Sequence, residues 1–316
     1  MMTTSAEPSN LSIDFHLDRN RHILINSLVF LGIALAYCTG LTLLLLSPLG
    51  LNLLGVFCLG YSIILAAYLK HEAIHGIALP QTRWNRWLGQ MLSWIDGTCY
   101  KPWQALVQEH LLHHQGKDIR PDVNFADTPR TLRQLLLLLE WAHIPATSLM
   151  VFTRLHLSEL ICPGFQSRRL RWVVFFRWSG FILLGWFSLK ALVLYAVAYN
   201  LALAFLRFQA AFQHNEAFLT ATDRARDRVG TFSLLLSEEH PWLNSFLLNF
   251  GYHNAHHQKM ACPWYLLPQL DRDLFRHGEG NHILDREVLA DYHRYRLLRI
   301  KTALGWQEQA LSTPGA

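Results

Sequence analysis

The sequence predicts an all-α integral membrane protein with four transmembrane helices, interfacial helices and a cytoplasmic cap. Three observations carry this. Of 316 residues, 51% are hydrophobic and 16% charged, where soluble domains carry nearer a quarter of charged residues. From Ile23 to Leu69 no residue is charged, a stretch too long for one crossing and broken by Ser47-Pro48-Leu49-Gly50. Of 28 Lys and Arg, 26 fall on one face once the crossings are drawn. The same composition argues against a disordered chain and a fibrous repeat. Five cysteines without a CxxC pair argue against a disulfide scaffold and a thiolate zinc ribbon.

Taken in order, residues 1–22 read as a cytoplasmic tail and 23–316 as one membrane domain. Spans at about 23–46 and 52–69 reach roughly 36 and 27 Å, against a hydrocarbon core of ~30 Å. They form a hairpin with a very short outer turn. A cleaved signal peptide does not fit, since its apolar core is only ~7–15 residues long. The tryptophans Trp84, Trp87, Trp94 and Trp103 read as an interfacial belt. The stretch 132–160 is apolar but interrupted by Glu140, His143, Pro145 and Arg154, which suits an interfacial or re-entrant helix. A second hairpin, about 172–189 and 191–206, hinges at Lys190, with Arg177 close enough to an end to snorkel toward headgroups. The positive-inside rule then places both termini and the middle loop in the cytoplasm. The net charge of +5 is largely this topology signal and calls for anionic lipid rather than nucleic acid.

Seventeen histidines are many for such an apolar chain, and eight fall in three clusters. They are His71-Glu72-Ala73-Ile74-His75, His110-Leu111-Leu112-His113-His114 and His253-Asn254-Ala255-His256-His257. On a helix, positions i, i+3 and i+4 fan over roughly 100° of arc, so each cluster can aim its imidazoles in one direction. Pro102 suits a helix start before the second cluster and Gly116 a stop after it; Pro241 and Pro263 bracket the third, with Gly251 a break. One transition metal takes four to six ligands, so eight imidazoles without thiolate suit two ions of iron, zinc, copper or nickel. His71-Glu72-Ala73-Ile74-His75 also spells HExxH, so a membrane zinc metalloprotease is an alternative. That alternative leaves the two HxxHH clusters idle. A metal transporter would carry ionisable groups at mid-membrane depth, where these spans are nearly bare.

In order and placement the three clusters resemble the membrane fatty acid desaturase and hydroxylase superfamily, over about residues 52 to 270. Arg120-Pro121-Asp122-Val123-Asn124-Phe125 after the second box and Cys262-Pro263-Trp264-Tyr265 after the third agree with it. The resemblance implies a non-haem di-iron centre at the cytoplasmic face, with His71, His75, His110, His113, His114, His253, His256 and His257 as ligands. It implies a ninth, His214, in Gln213-His214-Asn215-Glu216. Stearoyl-CoA desaturases usually have a longer first box and an Asn four residues before the extra histidine. Here the box is HxxxH and Ala210 stands at that place, closer to acyl-lipid or acyl-carrier desaturases and to carotenoid ketolases and hydroxylases. No His-Pro-Gly-Gly haem signature is present, which implies a separate ferredoxin-, rubredoxin- or cytochrome-type electron donor.

An alkyl C–H bond offers nothing to acid–base catalysis, whereas two reduced irons with O2 as co-substrate can oxidise it. The expected activity is therefore desaturation of a long apolar acyl chain drawn from the membrane. Hydroxylation or ketolation of a lipid or carotenoid is the alternative. Glu72, Glu109, Asp122 and Glu216 are candidate partners of the remote imidazole nitrogens, and Asn249 is a candidate to orient a metal-bound water. His143, His156, His240, His277 and His282 lack ligand spacing and are assigned to interface or surface. The basic segment Tyr292–Arg299 suits lipid headgroups, or docking of an acidic electron donor or acyl carrier protein.

Overall fold

The computed structural model describes residues 18–115, 123, 125–161, 167–213, 231–275 and 281–306. Four of its helices are long and apolar enough to cross a membrane: α1 (Arg19–Leu45), α2 (Leu49–Ile74), α7 (Arg168–Phe187) and α8 (Leu189–Gln213). Between them and after them come α3 (Thr82–Asp96), α4 (Trp103–His114), α5 (Arg130–Trp141), α6 (Ala146–Ile161), α9 (His253–Gln258), α10 (Leu267–Leu274) and α11 (Arg286–Ala303).

Helix α2 is the centre of the bundle, packing on α1, α3 and α8. Its buried face runs through Leu59, Ile63, Ala66 and Leu69, none of them exposed to solvent. Where α1 crosses α2, Gly40 faces Gly55. A methyl group on Gly40 would stand 2.9 Å from the Leu59 nitrogen, so only hydrogen permits this approach. The turn between them is Leu46–Pro48, closed by Asn52, whose Nδ2 donates to Leu43 O at 2.8 Å and Leu46 O at 2.9 Å. Those bonds satisfy carbonyls that α1 leaves open at its end. Helix α3 stops at Gly97, whose φ of +82° is left-handed and favours glycine. Here Asp96 pairs with Lys70 in the interior, and its carbonyl accepts from the Tyr199 hydroxyl.

Several expectations need correction. Helix α1 begins at Arg19, capped by Asp18, so the end of the expected tail is helical and His22 is buried. Helices α2 and α8 run on to Ile74 and Gln213, beyond the expected ends at 69 and 206, because nothing in either extension breaks a helix. The first histidine box therefore lies on α2 itself, which gives out at Gly76, φ +75°. The second hairpin turns at Ser188, not Lys190; Lys190 sits in the first turn of α8, where Nζ donates to Leu46 O and Asn52 Oδ1. The stretch 132–160 is two helices, α5 and α6, divided by His143 at φ +62° and by Pro145.

Arg177 does not snorkel. It turns inward, 7% exposed, donating Nη1 to Trp94 O at 2.6 Å and Nη2 to the Tyr195 hydroxyl at 3.0 Å. His156, assigned to interface or surface, is buried with Nδ1 3.1 Å from the Tyr100 hydroxyl. Trp103 is buried against Gly89 rather than interfacial, whereas Trp84 and Trp87 are exposed. The chain is not wholly α: β1 (Ser233–Leu235) pairs in parallel with β2 (Asn281–Ile283), Leu234 opposite His282. The basic segment on α11 is largely occupied by the body: Arg296 pairs with Glu140, and Arg299 Nη2 donates to Val123 O at 3.1 Å.

Candidate metal centre

The three histidine boxes meet at the end of the bundle where α2 and α8 finish. Box one closes α2; box two is the last part of α4; box three is α9. Six residues make a weak helix alone, so α9 is held from outside. Leu234 N donates to Gly251 O at 2.9 Å, Asn254 N to Ser233 Oγ at 3.3 Å, and Gln213 Nε2 to Phe250 O at 3.1 Å. The Phe250 ring stacks on Tyr68 at 4.1 Å and meets His71 edge-on at 4.9 Å, which ties box three to α2.

Of the three clusters, box one aims both its histidines at one target, as the periodicity suggested, whereas boxes two and three are each split. The histidines divide into two groups, His71, His75, His110, His114 and His256, and His113, His253 and His257, with donor atoms within 4.8 Å of one another in each group. Helical geometry explains the division. Positions i and i+4 lie ~40° apart, while i+3 lies ~60° to the other side. On α4 the i, i+4 pair His110 and His114 joins the first group and His113 the second. On α9 the assignment is reversed: His253 and His257 join the second group and His256 the first. The groups adjoin, with the His114 and His257 rings 4.2 Å apart.

Distances between donor atoms test whether a metal fits. Two ligand nitrogens ~2.1 Å from one ion and 90–109° apart stand ~3.0–3.4 Å from each other. The Nε2 atoms of His75 and His110 are 2.9 Å apart, His110 and His114 3.0 Å, His75 and His114 3.2 Å, and His114 and His256 3.3 Å. Four lone-pair nitrogens thus converge at ligand spacing, and both ring nitrogens of buried His71 lack a hydrogen-bond partner among the described residues. Charge state agrees. Burial pushes His75 down to about 4; burial and the neighbouring imidazoles hold His110 and His256 well below the usual histidine value. These rings are neutral near pH 7, the form that binds metal.

Of the proposed outer partners, Glu72 is buried, with Oε2 accepting the Trp264 N–H at 3.0 Å and Oε1 4.0 Å from His71 Nδ1. The carboxylate that an HExxH protease would use as base is thus occupied by the Cys262-Pro263-Trp264-Tyr265 stretch. Glu109 is no such partner: it is half-exposed and pairs with Lys101 at 2.6 Å. Asn249 is buried in a left-handed turn, φ +50°, rather than on a helix, and its Nδ2 donates to Trp264 O at 3.1 Å. His214, Glu216 and Asp122 lie outside the described residues.

Sequence reasoning missed the network behind box one. The Trp264 indole N–H donates to Asn26 Oδ1 at 3.0 Å, Asn26 Nδ2 to Ala78 O at 2.9 Å, and the His22 ring bridges the Tyr265 hydroxyl and Ile77 O at 2.7 Å each. The signal was there: His22 and Asn26 are polar residues at i, i+4, one face of the first helix.

A family model described as Fatty acid desaturase matches residues 44–286, a stretch that contains all three boxes. A search of curated proteins finds no match to the chain.

Proposed function

Because the chain belongs to the fatty acid desaturase family, we propose that it is an O2-dependent di-iron oxidoreductase that desaturates a long apolar acyl chain. The single observation that carries the reading is the convergence of eight imidazoles, five of them buried and three half-buried, into two adjoining groups. When bound, a pair of irons supplies from O2 the oxidising power that an unactivated C–H bond requires. The chain's own residues do the rest. His71, His75, His110, His114 and His256 would hold one iron, and His113, His253 and His257, joined by His214, the other. The neutrality of His75, His110 and His256 leaves their lone pairs available without a proton to displace. Burial of His71, His114, His253, His256 and His257 would keep bulk water from the reacting carbon.

Glu72 fixes the approach of box one to Trp264, and Asn249 fixes box three to the same residue, so both would set ligand geometry from behind. Asp122 and Glu216 remain proposed partners of imidazole nitrogens. The histidine end would face the cytoplasm with both termini, which agrees with the basic residues gathered there. A separate ferredoxin-, rubredoxin- or cytochrome-type protein would bring electrons, and the acyl group would arrive in a membrane lipid or on an acyl carrier protein.

Metal analysis and lipid profiling test this together. Purified protein should carry two irons per chain, and cells expressing it should gain acyl chains lacking two hydrogens. An added oxygen would mean hydroxylation, and an oxygen gained with two hydrogens lost, on a carotenoid, ketolation. One zinc and no iron would refute the reading.

A further inference from the structure

We propose that the groove between α1 and α7 is a second lipid site, separate from the histidines, that binds a single-chain anionic amphiphile by its carboxylate at Arg177. Helices α1 and α7 both rest on α8 yet scarcely touch each other, and the space left between them is about 390 Å³. That falls within the range of small-molecule sites, which join apolar walls to a few polar groups. Leu41 and Leu45 form one wall and Leu184 and Phe187 the other, while Arg177 and Tyr195 supply the polar end. No residue of α2, α4 or α9, which carry the histidines, lines it.

The polar end is short of an acceptor. Arg177 is a buried cation whose bonds go to a carbonyl and a phenol, and the Tyr195 hydroxyl passes only to Tyr37 at 3.2 Å. The buried carboxylate of this region, Asp96, is taken by Lys70. Among the described residues no carboxylate pairs with Arg177, an expensive state for a charge at membrane depth. Three buried nitrogens here also have no hydrogen-bond partner among the described residues: Arg177 Nε, Trp178 Nε1 and His156 Nε2. They surround Phe181, a groove residue, whose ring lies 5.0 Å from the Arg177 guanidinium, 5.3 Å from the His156 ring and 5.8 Å from Trp178. The first two of these nitrogens are donors, and so is the third when Tyr100 donates to His156 Nδ1. His156 and Trp178 stand behind Phe181 and do not line the groove, so the case rests on Arg177, a buried cation at the groove's edge with no carboxylate partner among the described residues, which calls for an anionic oxygen.

Depth and direction fit a fatty acid. Arg177 is five residues along α7 from exposed Trp172, ~7 Å below it at 1.5 Å per residue, and Phe187 is another ~15 Å on. A carboxylate at Arg177 leaves its tail parallel to α7, pointing away from the basic end, as in an ordinary leaflet.

The test uses full-length protein in nanodiscs with a diazirine-bearing fatty acid, read by peptide mapping. Crosslinks should concentrate on Leu41–Leu45 and Leu183–Phe187. Oleate should reduce them about tenfold, while oleyl alcohol and phosphatidylglycerol should not. Gly180→Leu, at a groove position with nothing within 4 Å of an added Cβ, should abolish them and leave the fold intact. Arg177→Gln should abolish them as well, or fail to fold because Trp94 O loses its donor; Gly180→Leu decides the matter in either case. Crosslinks spread evenly over all apolar helices, or unchanged in Gly180→Leu, would reduce the groove to ordinary lipid contact. Equal competition by the alcohol or the phospholipid would overturn carboxylate recognition.

Discussion

At the scale of single residues, the charges inside the helices matter most. Lys70 and Asp96 are a buried pair, and neutralising one strands the other. Asp96→Asn should cost about 3–5 kcal/mol, read as a fall in thermal stability in detergent, with Lys70→Met/Asp96→Leu recovering most of it. The imidazoles give a pH signature. His75 is held at about 4 in the folded chain, against an unfolded value near ~6.5. Between those values the unfolded state binds more protons, so stability of metal-free protein should rise with pH from about 4 to ~6.5 and level off above. A flat melting profile over that window would refute it. The eight ligand candidates were legible as spacing alone, because two HxxHH boxes and an HxxxH repeat one pattern. Arg177 was not, since its position in the chain says how far it is from a helix end but not that Trp94 and Tyr195 wait inside.

At the scale of elements, α4 and α9 exchange histidines between the two groups, and α9 is too short to hold itself. Removing metal with a chelator should therefore raise hydrogen exchange in 103–114 and 253–258 while leaving α1, α2, α7 and α8 protected; uniform loosening would contradict this. The foot of α3 depends on Gly97. Gly97→Ala should cost more than about 1–2 kcal/mol, because a Cβ is disfavoured at φ +82° and would also press on the Tyr199 hydroxyl. The four long helices were readable from unbroken apolar runs. Their ends were not, because hydropathy reports where lipid stops and a helix stops only where its backbone bonds do, at Gly76 or Ser188. The β1–β2 ribbon was invisible for another reason: two strands of three residues lie 46 residues apart, and nothing local announces a parallel pairing.

At the scale of the whole molecule, topology reporters should place both termini on the cytoplasmic face and a tag inserted at Ser47 on the other; a reversed pattern would invert the proposed membrane orientation. The two ends of the bundle are built very differently. At one, α9 carries histidines and packs on α10 and on the ribbon. At the other, among the described residues, the chain leaves its helices at Leu46–Pro48 and at Ser188. Among the described residues, a protease or an antibody coming from that side would meet two turns of three residues and one, so Leu46–Pro48 and Ser188 offer it little backbone to seize.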